Sequence, residues 1–377
     1  MKCNGFDLSR GEAVEVSFDK TIESVEPMLT PQTGEIYLAP GWIDLQVNGF
    51  GGVDYNSPDI SVQDIAASID KMFATGVTRF FPTVITGSPQ QMQTALHNLA
   101  KAKATLPAIE ALHLEGPYIC PEDGPRGAHP RAWVRPPDWD EFCRFQEAAQ
   151  GHIRLLTLSP EWPAANNFIE RLVGQGVVVS LGHTQANSSQ IADAASAGAT
   201  LSTHLGNGGH STLPKFPNYL WDQLAEDRLA ASLIVDNIHL APAFLKVALR
   251  AKGLEQCLLV TDAVAPAGCQ PGSYRLGEVE VELHSDQSVR LRGGTRLAGS
   301  ALLMHHAISN VISTANLSLR DAVMLATRNP ARIGRIEGRR RGLNPGDRAD
   351  FVRFRLWNGE FQILETVVGG KSVYSYQ

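Results

Sequence analysis

Cysteine is sparse in this chain and shows no pairing pattern. Cys3, Cys120, Cys143, Cys257 and Cys269 are odd in number, scattered, and include no Cys-x-x-Cys. That excludes a disulfide framework and fits the reduced thiols of a cytoplasmic protein. An excess of positive charge is also missing. Against 39 Asp and Glu stand 33 Lys and Arg, a net charge of −6, so a general nucleic-acid binder is not expected. The one dense basic cluster, Arg335 with Arg339, Arg340 and Arg341, reads as a solvated turn. No apolar run approaches the roughly 20 residues a membrane helix needs. The N-terminus carries Asp7 and Arg10 and no long apolar core, so neither a signal peptide nor a membrane partner is expected. Internal repeats and low-complexity segments are lacking too.

What is present is ordinary globular material. Hydrophobic residues make up 43% and charged residues 19%, and 377 residues suffice for one large domain and a small one. Residues 1–40 alternate apolar and polar, as in Ala13-Val14-Glu15-Val16, and read as short strands. From residue 41 strands and helices alternate. Ile43–Val47 is a strand; Ile65, Ile69, Met72 and Phe73 make one helical stripe that stops at Gly76. Ser88-Pro89 is a cap and first turn for a helix to about Ala104. Further strands are expected at Val77–Ile85, at Ala108 onward to Glu115, and at Ile153–Leu158, Val177–Leu181, Leu201–His204, Ala230–Val235 and Cys257–Thr261. Eight strands with mostly helical connections argue for a closed parallel (β/α)8 barrel over residues 41–345. A hairpin, Glu278–Leu283 with Ser288–Leu291, interrupts it after the eighth strand. Alternation returns in residues 346–377, so both chain ends should meet in one small β domain.

The polar residues at the strand ends carry the chemistry. The third strand stops at His113-Leu114-Glu115-Gly116-Pro117. Side chains alternate along a strand, and a buried carboxylate there needs a partner. Two later strands end in Gly182-His183-Thr184 and Thr203-His204-Leu205. One Glu and two His on separate strands suit a divalent metal such as zinc. His113 lies deeper in the barrel and reads as a supporting residue. In a (β/α)8 barrel the active site is built at these C-terminal strand ends.

Seven motifs stand in order: Pro40-Gly41-Trp42-Ile43-Asp44, the three above, Thr261-Asp262-Ala263, Leu297-Ala298-Gly299-Ser300 and Asn329-Pro330-Ala331. Together they resemble the N-acetylglucosamine-6-phosphate deacetylases, of the amidohydrolase superfamily. The resemblance implies a metal-dependent-hydrolase barrel with a small β-sandwich from both chain ends. It also implies an amino-sugar substrate and a homodimer. By the same resemblance Glu115, His183 and His204 bind the metal and Asp262 is the catalytic base. Ala128, His129, Asn207, Gly208, His239, Leu297, Ala298 and Gly299 would contact the sugar.

Two departures from the pattern matter. Where many amidohydrolases carry His-x-His and two metals, this chain reads Gln46-Val47-Asn48. Amides are poor zinc ligands beside imidazole, so one metal per subunit is expected. Where the family has an Arg for the substrate phosphate, the matching residue is Lys215, a point charge without the bidentate fork.

The expected chemistry is hydrolysis. The metal lowers the pKa of a water from about 15.7 toward about 7, Asp262 accepts the proton and later gives it to the leaving amine, and His129 or His239 helps stabilise the oxyanion. The products are acetate and an amino sugar. Because of Lys215, an unphosphorylated N-acetyl sugar or another N-acylated polar amine is the alternative substrate. A non-catalytic sugar-binding barrel is the reading from another class.

Overall fold

The apolar stripes and caps produce the helices they predict. In a computed structural model describing residues 1–28, 36–339, 342–357 and 359–376, the helix Val62–Phe73 buries Ile65, Ile69, Met72 and Phe73. Ser61 caps it by accepting from the Asp64 N–H, and Asp64 accepts from the Ser61 N–H in return. The next helix, Pro89–Lys103, starts with Ser88 as cap and Pro89 as its first residue. Asp138 and Asn187 cap the helices Trp139–Ala148 and Ser188–Ser196 in the same manner.

Eight parallel strands pair in chain order: Trp42–Val47, Val77–Ile85, Leu112–Glu115, Ile153–Leu158, Val178–Leu181, Leu201–Ser202, Ala230–Leu233 and Cys257–Leu259. A bridge between Val47 and Ala263 brings the end of strand one against the chain leaving strand eight, so the sheet closes as a barrel. Its interior carries a polar layer around His113. Nδ1 of this residue lies 3.2 Å from Thr83 Oγ1, and Nε2 lies 2.8 Å from Thr157 Oγ1. Burial pushes His113 down to about 4.

Several elements differ from expectation. Strands six, seven and eight leave the ladder two residues earlier; after six and eight the backbone turns at His204 and Asp262. A short helix, Tyr219–Ala225, fills the connection between strands six and seven. The hairpin after strand eight has a third strand, giving Gly272–Leu276, Val279–Leu283 and Val289–Leu291. It packs its own apolar cluster, with Leu276, Val281 and Ala298, onto Ile85 and Val264 of the barrel.

Both chain ends meet, as expected, in one seven-stranded sheet. Lys2–Asp7, Glu12–Phe18, Ile22–Pro27 and Tyr37–Pro40 join Phe351–Trp357, Glu360–Val368 and Lys371–Ser375 through antiparallel pairing of Phe351 with Pro40. Phe18 and Phe351 lie on strands that are not neighbours, yet their rings are 4.9 Å apart. The sheet therefore curls over a core of its own, as a small sandwich does.

The solvated basic turn is corrected at Arg339. Arg335 is exposed, but the Arg339 side chain is buried, and its Nη2 lies 3.4 Å from Asp350 Oδ2. The same carboxylate accepts from Arg79 Nε at 2.6 Å and Arg348 Nε at 2.7 Å. A guanidinium this deep needs a carboxylate partner, and Asp350 supplies it. Arg340 and Arg341 lie outside the described residues. Among the described residues no helix is long and apolar enough to cross a membrane.

Candidate active site

Glu115, His183 and His204 come from three strand ends and converge on one point. Glu115 Oε1 lies 3.1 Å from His183 Nε2 and 3.0 Å from His204 Nε2. The two Nε2 atoms are 3.1 Å apart. All three residues are buried. His183 Nδ1 donates to the Pro125 carbonyl at 2.8 Å, which leaves its Nε2 as the bare nitrogen facing the cluster. Two imidazole lone pairs and a carboxylate oxygen so close together need a cation between them. Ligands on bonds of about 2.1 Å in a tetrahedron sit about 3.4 Å apart, so a small opening of the observed triangle would fit a divalent ion such as zinc. Glu115 is well suited to that place. Burial would raise its pKa, but while no ion is bound the protons and charge that His183 and His204 turn toward it outweigh burial and hold it well below the usual range; a metal cation would take the place of those protons.

The backbone is strained where it presents these groups. His183, His204 and Asp262 have φ of +51°, +31° and +50°, a region L-residues rarely enter. Such outliers cluster at sites the surrounding structure over-determines. Gly127 and Gly208, both at positive φ, flank the His183 ring; a Cβ on Gly208 would come within 2.7 Å of His183 Nδ1. Only glycine leaves the ring its position.

Asp262 stands beside this cluster. Its Oδ1 accepts from Gln46 Nε2 at 3.1 Å and Asn48 Nδ2 at 2.7 Å. The amides at the end of strand one thus hold Asp262. Asp262 is pushed up to about 6, first by burial and then by the Glu115 charge, which suits a group that exchanges a proton near neutrality.

A cavity of about 730 Å³ opens over these residues, within the size range of small-molecule sites. Ala128, His129, Asn207, Gly208, His239, Leu297, Ala298 and Gly299 all line it. His129 Nδ1 lies 2.9 Å from Thr86 Oγ1, and burial pushes its imidazole down to about 3, so it is neutral. His239 Nδ1 lies 2.6 Å from Asp236 Oδ2, which fixes the ring with Nε2 left for the cavity. The sequence reading missed Asp236; its place three residues before His239 in a strand-end loop was the available signal.

Lys215 is not brought to the cavity. It is not among the lining residues, and its Nζ sits 5.8 Å from the centre of the Phe216 ring. The basic side chain that does line the wall is Arg296, with His210, Ser211 and Thr212. None of these four was singled out from sequence, because no strand-end pattern marks them.

The Amidohydrolase family model matches residues 37–373. N-acetylglucosamine-6-phosphate deacetylase of Bacillus subtilis is 31% identical over 98% of this chain and 93% of its own. N-acetylgalactosamine-6-phosphate deacetylase of a Shewanella strain is 33% identical, over 89% of this chain and 83% of its own. Among solved structures, an Asp-to-Ala mutant of N-acetyl-D-glucosamine-6-phosphate deacetylase from Mycobacterium smegmatis, in complex with N-acetyl-D-glucosamine-6-phosphate, superposes with a TM-score of 0.87. It is 29% identical and covers 96% of this chain and 94% of that one.

Proposed function

The chain belongs to the amidohydrolase family, and from that premise we propose that it hydrolyses the acetamido group of N-acetylglucosamine 6-phosphate to glucosamine 6-phosphate and acetate. The observation that carries this reading is the meeting of Glu115, His183 and His204 around one point beside Asp262. The relatives reported above are named for deacetylation of 6-phosphorylated N-acetyl sugars, which supports the phosphorylated substrate over the plain sugar.

Glu115, His183 and His204 would hold one divalent ion per subunit, zinc by the nitrogen-rich donor set. When bound, it supplies Lewis acidity that lowers the pKa of a water and polarises the acetyl carbonyl. Gln46 and Asn48 donate to Asp262 Oδ1, so Oδ2 is the oxygen that takes the water proton. Asp262 then passes that proton to the departing amine. With Nδ1 engaged by Thr86 and Asp236, His129 and His239 turn Nε2 lone pairs to the cavity and accept from the sugar hydroxyls. Gly208 and Leu297 to Gly299 let the ring approach closely, and Asn207 and Ala128 complete the wall.

Residues 41–345 form the catalytic unit in this reading, and 1–40 with 346–377 the small β domain. Phe216 and Trp221, 70% and 47% exposed on one segment, support pairing as a homodimer. Reduced cysteines support a cytoplasmic location. The test is acetate release from N-acetylglucosamine 6-phosphate before chelation, after it, and after zinc is restored. Loss and return are expected; no acetate from zinc-loaded protein would refute the reading.

A further inference from the structure

We propose that Arg296, not Lys215, is the cation that receives the anionic end of the substrate. The inference rests on the deacetylase reading for the identity of that anion, a sugar phosphate monoester. It rests on geometry for the place.

Arg296 closes the loop between the inserted sheet and the Leu297–Gly299 segment of the wall. The Leu291 N–H donates to its carbonyl at 3.0 Å, and Leu297 bridges Arg290. A hairpin thus fixes its backbone. Its side chain reaches across the cavity mouth, where Nη1 donates to the Gly127 carbonyl at 2.9 Å. That contact uses one of the five N–H donors and leaves the others for a ligand.

The local charge favours an anion. Asp123 also lines the mouth, and Arg296 Nη2 is 3.9 Å from its Oδ1. Arg126 already holds that carboxylate in a direct ion pair. Asp123 is thus partnered by Arg126, and at 3.9 Å it engages Arg296 only loosely, which leaves the Arg296 charge available to a ligand. His210, Ser211 and Thr212 stand on the same wall and offer further hydrogen-bond donors. The metal cluster lies in the same cavity. A hexosamine phosphate therefore has its acetamide directed at Glu115, His183 and His204, and its phosphate at the rim. Arginine's planar fork matches two phosphate oxygens at once, a geometry lysine lacks.

The test compares acetate release from N-acetylglucosamine 6-phosphate and from N-acetylglucosamine. In Arg296→Ala the kcat/KM for the phosphorylated sugar should fall about 10- to 100-fold, mainly through KM, as expected for a lost charge-assisted contact. The preference over the plain sugar should fall by the same factor, and Arg296→Lys should restore part of it. A preference intact in Arg296→Ala overturns the inference, as does its loss in Lys215→Ala alone. Calorimetric binding of inorganic phosphate separates this inference from the reading beneath it. Phosphate affinity that depends on Arg296, with neither sugar cleaved, sinks the deacetylase reading and keeps the anion site. Phosphate affinity indifferent to Arg296 sinks the anion site.

Discussion

Replacing Asp262 by Asn should remove the proton acceptor and leave the site otherwise standing. The backbone there is fixed independently of the carboxylate: the Asp262 N–H donates to the Gln46 carbonyl at 3.0 Å, and the Ser300 N–H donates to the Asp262 carbonyl at 2.9 Å. An amide oxygen can still accept from Gln46 and Asn48 where Oδ1 does now. Only the basic oxygen is lost. Asp262→Asn is expected to lower kcat by about 10²- to 10⁴-fold, the usual range for a general acid–base group. Wild-type activity should rise with pH through an acid limb at or below pH 6, since burial and Glu115 set the Asp262 value at about 6 and a bound cation would favour the carboxylate. The variant should lack that limb. Stability has the opposite sign. In metal-free protein a rise from 3.8 to about 6 makes the ionised group cost roughly 3 kcal/mol. That cost is full above about pH 6 and fades as pH falls toward the unfolded value near 4. Metal-free Asp262→Asn should thus melt at or above wild type at pH 8, with the gap closing by about pH 4. Zinc-loaded Asp262→Asn turning over at near wild-type rate would refute the argument.

Gly208→Ala places a Cβ against the His183 ring and at a φ of +57°; zinc affinity, by competition with a chelating dye, should drop about 10- to 100-fold, as for other disturbed ligand orientations. Asp350→Asn leaves Arg79, Arg339 and Arg348 facing a neutral amide. Breaking such a buried pair should cost about 3–5 kcal/mol, seen as a fall of roughly 5–15 °C in Tm at pH 7. Burial would raise Asp350, but the charges of Arg339, Arg79 and Arg348 prevail and hold it low. Its contribution is therefore present above the unfolded carboxylate range and lost as pH falls through the lowered folded value, so the two melting curves should converge in strong acid.

The barrel was legible because its strands end in abrupt polar-and-glycine stops and its helices begin at caps such as Ser61 and Ser88. The positions of Glu115, His183, His204 and Asp262 at separate strand ends were readable for the same reason. The positive φ at His183, His204 and Asp262 was not, since tertiary contacts impose it against local preference. Gln46 and Asn48 could be read as unsuited to a second metal, but their hydrogen bonds to Asp262 cross more than 200 residues of chain. Arg339 looked like surface in a run of arginines; its partner Asp350 lies 11 residues further along the chain, beyond the reach of any local pattern. Lys215 followed from motif alignment, whereas the cavity wall takes Arg296, which stands one residue before the Leu297–Ser300 motif and is not part of it.

The central claim is that Glu115, His183 and His204 grip a single cation. Calorimetric titration of metal-free protein with zinc tests it directly, alongside Glu115→Gln, His183→Gln and His204→Gln variants whose circular dichroism matches wild type. Binding of about one equivalent per chain, lost or severely weakened in each variant, is the predicted result. Two equivalents in wild type, or tight binding that survives all three substitutions, would contradict it.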